Sequence, residues 1–253
     1  MLGPMTTPSE IVTFRSAGYV VLRDAFDADL LGAEMDRAFA EGLRPEAGHV
    51  DDVAAFAYLP MMCERTPVSL SLLDALAAPA ATLLGRPVLP GRAKGTRYAA
   101  DTARHRDSEV AIPSIAFVAY LEPLDANNGA LRVVPGSHLD SELSDAPFVA
   151  VATEPGDLIV FDEHLTHGSA RGRDRRQWRV DYFADPADDA ETTIVKEMFA
   201  RVLDAAWASV YEVDRFPNYG EFWQRRERPW TTRLRDLGFY DLAAAQERKA
   251  AHS

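Results

Sequence analysis

Gly156-Asp157-Leu158-Ile159-Val160-Phe161, followed by His167-Gly168-Ser169, is the stretch that decides the fold of this chain. Four consecutive apolar residues at 158–161, preceded by a Gly-Asp turn signal, predict a short buried strand. The glycine after His167 lets the backbone approach a bound group closely. The stretch therefore predicts a core strand that leads to a histidine placed beside a ligand.

Short strand-like segments recur on both sides of this stretch. They are rich in β-branched and aromatic residues and are separated by turn signals such as Asn127-Asn128-Gly129. The predicted strands are residues 19–22, 112–121, 131–134, 148–153, 158–161 and 178–183. Several short strands of this kind predict a mainly β protein, either a sandwich or a jelly roll.

Helical periodicity flanks the predicted strands. Ser9 is the predicted N-cap of a first helix that Gly18 ends, and Asp27 is the predicted N-cap of a second. Further helices are predicted at residues 68–84, 192–203 and 242–250. We therefore expect one domain over residues 1–253, with N-terminal helices at about 8–85, a β core at about 88–186 and a helical, aromatic-rich extension at about 190–253.

Composition limits the partners. The 253 residues carry 27 basic and 39 acidic side chains, a net charge of −12. Such a surface repels nucleic acid and anionic membranes, so neither is an expected partner. The single cysteine, Cys63, excludes an intrachain disulfide. The first residues lack the pattern of a signal peptide, so we expect a cytoplasmic protein. We expect either a monomer or a homodimer.

Two short segments offer metal ligands. His105 and Asp107 are two residues apart, so on a strand their side chains share one face. His167, from another strand, supplies a second imidazole. Two histidines and one carboxylate form the facial site of non-haem Fe(II), which leaves positions open for a co-substrate and oxygen. A His-x-Asp pair also arises by chance, and His164 is a rival to His167 on the same segment.

Four segments resemble the phytanoyl-CoA dioxygenase family of Fe(II)- and 2-oxoglutarate-dependent oxygenases, and the resemblance covers residues 8–186. The segments are FRSAGYVVLR at 14–23, NGALRVVPGSH at 128–138, PGDLIVFD at 155–162 and HGS at 167–169. The resemblance implies a double-stranded β-helix, which is a cupin-like jelly roll. It also implies that His105, Asp107 and His167 bind iron and that 2-oxoglutarate and O2 become succinate and CO2.

The arginine that binds the distal carboxylate of 2-oxoglutarate departs from the family pattern. The family places it eleven residues after the distal histidine, where this chain has Trp178. Aligning the following strand puts Gln177 at that position, and Arg179 two residues further on the same strand face. We expect Arg179 to bind the carboxylate, with Arg175 and Arg176 as alternates.

The remaining expectations concern the reaction and its substrate. Asp107 occupies the position where related halogenases have a small residue, so halogenation is disfavoured and hydroxylation of a C–H bond is expected. The expected substrate is a small-molecule metabolite, such as a bacterial natural product. Lys94 is either a neighbour of the co-substrate or a surface lysine. The alternative functions are a redox-neutral cupin-type isomerase and a non-catalytic metabolite-binding jelly roll.

The aromatic-rich C-terminal region has two interpretations. Trp207, Trp223 and Trp230 either belong to a lid over the substrate pocket, or they pack helices against the barrel or form a dimer interface.

Overall fold

The structure is a computed structural model that describes residues 6–44, 56–98, 101–172, 174–202, 211–219, 223 and 225–242. Its main helices are α1 (Pro8–Ala17), α2 (Ala28–Gly42), α3 (Pro67–Leu84), α4 (Asp189–Val202) and α5 (Pro229–Asp236). Its strands are β1 (Tyr19–Leu22), β2 (Phe56–Pro60), β3 (Val88–Tyr98), β4 (Thr102–His105), β5 (Ser114–Tyr120), β6 (Leu131–Val133), β7 (Val149–Val151), β8 (Leu158–Asp162), β9 (His167–Ser169) and β10 (Arg175–Ala184).

The strands form two antiparallel sheets. The larger has the order β1-β8-β5-β10-β3-β2 and the smaller the order β4-β9-β6-β7. Inner-face residues of both sheets, such as Val118 and Val133, belong to one buried cluster, so the sheets face each other. The architecture is a double-stranded β-helix with flanking helices, which confirms the expected fold.

The central strand β5 of the larger sheet is buried on both faces. All seven residues of β5 are buried, and alternate residues belong to different cores. Phe117 packs in the core between this sheet and the helices, whereas Val118 packs in the core between the two sheets. Because neither face meets water, the strand is a continuous apolar run instead of an apolar–polar alternation.

Strand β10 also alternates, but one of its faces is polar. Trp178, Val180 and Tyr182 pack in the core on the helix side of the sheet. Arg175 and Arg179 are buried on the opposite face, inside the barrel. The prediction of a strand at 178–183 was therefore three residues short at its start, and two of the missing residues, Arg175 and Gln177, carry polar side chains into the interior.

The first helix differs from the prediction in its N-cap residue. Thr7, not the predicted Ser9, caps α1, because the Thr7 hydroxyl accepts from the Glu10 backbone N–H while the Glu10 carboxylate accepts from the Thr7 N–H. The end is as predicted: Gly18 has φ of +81°, and a Cβ there would overlap the His138 ring. Asp27 caps α2 as expected.

The aromatic C-terminal region packs into the helix-side core where it is described. Its buried members are Tyr211, Phe216, Tyr219, Trp223 and Trp230. The Tyr219 hydroxyl donates a hydrogen bond to the Pro90 carbonyl oxygen at 2.9 Å, and the Trp223 indole donates to the Met62 carbonyl oxygen. These contacts favour packing over a lid. Trp207 and residues 243–250 lie outside the described residues.

Helix α3 is long and apolar enough, by length and composition, to cross a membrane. Leu73 and Leu76 on this helix are fully buried in the helix-side core. A core helix of this composition passes the same test as a membrane span, so the finding is weak evidence for a membrane.

A buried carboxylate caps α3. The N-cap residue Thr66 makes no side-chain capping bond. Instead, Glu34 from α2 accepts hydrogen bonds from the backbone N–H groups of Val68 and Ser69, both at 2.8 Å. Burial raises the pKa of Glu34, and the two N–H groups oppose that shift. The carboxylate therefore ties the start of α3 to α2.

Replacing this cap should destabilise the fold. We expect Glu34→Ala to lower the free energy of unfolding by about 2–4 kcal/mol, because two buried N–H groups lose a charged acceptor. The matched control is Glu41→Ala on the same helix. The Glu41 carboxylate is in an exposed pair with Arg65, so this substitution should change stability by less than about 1 kcal/mol. Urea unfolding of both variants measures the difference, and equal losses would contradict the role of Glu34.

Candidate metal centre

The pairing of β4 with β9 builds the site. His105 and His167 are direct partners in this antiparallel pair, and their ring centroids are 4.2 Å apart. Because paired residues project to the same face of a sheet, both imidazoles point into the barrel. Asp107 follows directly after β4, where its backbone N–H donates to the Glu163 carbonyl oxygen.

The three side chains converge on one point. His105 Nε2 lies 3.3 Å from Asp107 Oδ1, and His167 Nε2 lies 3.3 Å from Asp107 Oδ2. One ligand atom from each residue fits within 4.8 Å of the others. Atoms about 2.1 Å from a shared metal at right angles are about 3 Å apart, so this donor set fits an octahedral Fe(II) on one face.

Backbone carbonyl groups orient both imidazoles. His105 Nδ1 lies 2.8 Å from the Ala103 carbonyl oxygen and His167 Nδ1 lies 2.9 Å from the Leu165 carbonyl oxygen. Each contact favours the tautomer with the proton on Nδ1, which leaves the Nε2 lone pair directed at the site. The backbone carbonyl groups thus hold both rings in the tautomer and orientation that metal binding requires.

The ionisation of Asp107 and His167 suits the same role. A hydrogen bond with Asp107 raises the pKa of His105, whereas burial lowers the pKa of His167. Burial acts to raise the pKa of Asp107, but Arg179 and the two imidazoles outweigh it and hold that pKa well below the usual range. Asp107 is therefore an anion and His167 neutral near pH 7, as metal binding requires.

Arg179 connects the site to a group of buried carboxylates. Its Nη1 donates to Asp107 Oδ2 at 2.7 Å and its Nη2 to Glu163 Oε1 at 2.5 Å, while its Nε donates to Asp181. Sequence analysis missed Glu163 and Asp181, because nothing in their spacing links them to the histidines. Asp181 shares the inner face of β10 with Arg179, which is the one signal available beforehand.

A cavity of about 120 Å³, here the first cavity, opens beside the three candidate ligands. Its cationic side chains are Lys94, Arg175 and Arg179, and Asp107 is the one carboxylate among its described lining residues. Phe161 closes one side, with its ring centroid 4.8 Å from that of His167. A narrow space with this charge balance suits a small dianion.

The three candidate arginines have different environments. Arg175 and Arg179 line the first cavity, and Arg175 Nη1 donates to the Gly129 carbonyl oxygen at 2.7 Å. Arg176 points to the opposite face of β10, where it pairs with Glu122 at 2.6 Å and Asp36 at 2.8 Å. Arg176 is therefore not positioned to contact a ligand in the first cavity.

The rival histidine is occupied by other groups. His164 Nδ1 lies 2.8 Å from Asp162 Oδ1 and its Nε2 lies 2.8 Å from the Val110 carbonyl oxygen. With both nitrogens engaged, His164 is outside the group formed by the three candidate ligands. The structure thus brings together the three residues expected from the sequence.

Comparisons with known proteins agree with this geometry. A family model described as phytanoyl-CoA dioxygenase (PhyH) matches residues 14–179. No curated protein matches the sequence. Among solved structures, AviO1 from Streptomyces viridochromogenes Tue57 is 25% identical with a TM-score of 0.59, over 73% of this chain and 97% of AviO1.

Two further structures share the fold at lower identity. SnoN, a non-haem α-ketoglutarate-dependent epimerase from nogalamycin biosynthesis, has a TM-score of 0.58 at 21% identity, over 70% of this chain and 82% of SnoN. HygX from Streptomyces hygroscopicus, solved with nickel and 2-oxoglutarate bound, has a TM-score of 0.59 at 17% identity, over 71% of this chain and 87% of HygX.

The geometry predicts which side chains are required for metal binding. His105→Ala, Asp107→Ala and His167→Ala should each weaken Fe(II) binding on the order of 100-fold or more, because each removes one of three protein ligands. Anaerobic titration of the apo-protein with Fe(II) measures the affinity. The control is His164→Ala, which should retain the metal. If that variant lost Fe(II) while His167→Ala kept it, the ligand assignment would be wrong.

Proposed function

The chain belongs to the phytanoyl-CoA dioxygenase family of non-haem Fe(II)- and 2-oxoglutarate-dependent enzymes, and we propose that it hydroxylates an unactivated C–H bond of a small-molecule metabolite. The observation that carries the proposal is the position of the three candidate ligands on the wall of a cationic cavity. Bound iron and 2-oxoglutarate supply the oxidising power, with one atom of O2 entering the product and the other entering succinate.

The side chains of the chain hold and orient these groups. His105, Asp107 and His167 bind iron on one face and leave its other positions open. The low pKa of Asp107 keeps that ligand charged, and the two carbonyl contacts keep the imidazoles in the binding tautomer. Phe161 and the apolar barrel wall around it limit water beside the metal.

The distal carboxylate of 2-oxoglutarate needs a cation inside the first cavity. Arg179, expected from the sequence, stays a prediction for this role. Two observations favour Arg175 more strongly. Arg179 already donates to three carboxylates, of which Asp107 is a proposed metal ligand. Arg175 lies four residues before Arg179 on the same strand face, which leaves room between it and the metal for the length of the co-substrate.

The reaction type and biosynthetic context are also proposals. SnoN is an epimerase from nogalamycin biosynthesis that shares this fold, so epimerisation is the alternative outcome at the same metal centre. Such resemblances support a role in the oxidative tailoring of a bacterial natural product. A redox-neutral isomerase and a metabolite-binding protein without turnover are the remaining alternatives, and neither of them consumes 2-oxoglutarate.

Co-substrate turnover tests the function. We expect the Fe(II)-loaded protein to form succinate and consume O2 in equal amounts. Without a primary substrate both reactions should still occur, at a low rate. Asp107→Ala should abolish both signals, because it removes a metal ligand. Succinate and O2 are measured in parallel, with His164→Ala as the active control. Fe(II) binding without any succinate would favour the isomerase or the binding protein.

Affinity for 2-oxoglutarate tests the arginine. Arg175→Ala should raise the 2-oxoglutarate requirement roughly 30- to 150-fold, because the loss of a charged carboxylate contact costs about 2–3 kcal/mol. The matched control is the neighbouring Arg176→Ala, whose side chain faces away from the first cavity. If Arg179→Lys raised the 2-oxoglutarate requirement more than Arg175→Ala did, Arg179 would be the residue that binds the distal carboxylate.

A further inference from the structure

A second cavity, of about 140 Å³, lies at the end of the barrel where β4 and β8 finish. Ser108 and Glu163 line it just beyond those two strands, and Phe183 lines it near the end of β10. Helix α4 contributes Met198 and Phe199 from the side. The second cavity therefore combines barrel-end loops with the C-terminal extension.

The two cavities meet at the candidate metal centre. Lys94, Asp107 and Arg179 line both of them. On the proposed function, on which this inference rests, the co-substrate occupies the first cavity between the metal and Arg175. The second cavity is then a further space beside the metal, and a substrate bound there has its C–H bond close to the metal.

Charged side chains of both signs line the second cavity. Its cations are Arg92, Lys94 and Arg179, and its carboxylates are Asp107, Glu163 and Asp181. Asp107 is assigned to the metal, and Arg179 donates hydrogen bonds to Glu163 and Asp181. The three carboxylates are therefore already engaged, and a carboxylate that contacts Lys94 would come from a ligand.

Lys94 is the cation of this wall that is open to a ligand carboxylate. The hydrogen bonds and ion pairs of the described residues include none to its ammonium group, although it is partly buried. Burial lowers the pKa of Lys94 to about 7, and the nearby Arg92 and Arg179 act in the same direction. A partly buried ammonium without a partner is costly, and a carboxylate beside it removes that cost.

Ser108 is a second polar group on the cavity wall whose hydroxyl has no hydrogen-bond partner among the described residues. It is 6% exposed, and its hydroxyl makes no hydrogen bond with any residue that the structure describes. Because buried hydroxyls are nearly always paired, its position on the cavity wall indicates a ligand atom. Ser108 is adjacent to Asp107, so a group bonded to its hydroxyl lies close to the metal.

The remaining wall sets the size and polarity of the ligand. Phe183 and Phe199 pack edge to face with ring centroids 5.7 Å apart, and Met198 lies beside them. A cavity of about 150 Å³ is known to hold one benzene ring. The second cavity therefore has room for a compact molecule of about this size, or for one end of a longer molecule.

From these observations we propose that the second cavity binds the primary substrate and that Lys94 selects a compact metabolite bearing a carboxylate. The carboxylate contacts the Lys94 ammonium, the apolar part lies against Phe183 and Phe199, and the Ser108 hydroxyl bonds a polar atom near the reacting carbon. Lys94 is a specificity-determining residue in this arrangement.

Benzoate, benzamide and benzylamine are matched probes of this proposal, because they share one ring and differ in the charge of one group. Calorimetric titration of the nickel-loaded protein with saturating 2-oxoglutarate measures their affinities without turnover. We expect benzoate to bind at least about tenfold more tightly than benzamide, a difference of about 1.4 kcal/mol, and benzylamine to bind least.

The lysine variants separate the outcomes. Lys94→Met keeps the length of the side chain and should abolish the preference for benzoate, and its effect on benzoate should exceed its effect on the affinity for 2-oxoglutarate. Lys196→Met, on the exposed face of α4, is the matched control and should behave as the wild type.

Three results would overturn the proposal. They are equal binding of benzoate and benzamide, no binding of any probe, and a preference for benzoate that survives in Lys94→Met. If Lys94→Met weakened 2-oxoglutarate instead of benzoate, Lys94 would belong to the co-substrate site and the proposed function would stand. If the nickel-loaded wild type bound no 2-oxoglutarate, the proposed function itself would fail.

Discussion

The alternation of side chains along β10 is the constraint on which the rest of the site depends. Trp178, Val180 and Tyr182 are buried against the helices, and their burial fixes which face of the strand looks outward. Because successive residues of a strand point to opposite faces, Arg175 and Arg179 are then forced into the barrel. A shift of one residue would bring the apolar side chains inside and the arginines into the apolar helix core, which is energetically prohibitive.

The barrel interior consequently holds charge that it must neutralise. Arg179 is surrounded by Asp107, Glu163 and Asp181, and burial together with the neighbouring Asp181 raises the pKa of Glu163 to about 7. Removing one member of such a group leaves a buried charge uncompensated, which costs more than the pair itself contributes. The metal site is therefore supported by an ionic frame, and its charge balance depends on the groups bound there.

Much of the fold was predictable from the sequence because its signals are local. Apolar runs bounded by Gly, Pro and Asn turns identified most strands, and Asp27 was recognisable as a helix N-cap from its position. The cap of α1 was misassigned because Ser9 and Thr7 are chemically alike, and the reciprocal bond with Glu10 decides between them. Short β4 and β9 carry little apolar signal of their own, and their pairing with each other defines them.

The sequence by itself determined the ligand types, the strand pattern and the expectation of an iron centre, because these follow from residue identity and spacing along the chain. The tertiary structure decided which groups meet. It turned Arg176 away from the first cavity, joined Glu163 and Asp181 to Arg179, and placed Lys94 on the wall that the two cavities share. The physical reason is that charge and burial act through space, and residues far apart in the chain become neighbours when the sheets close.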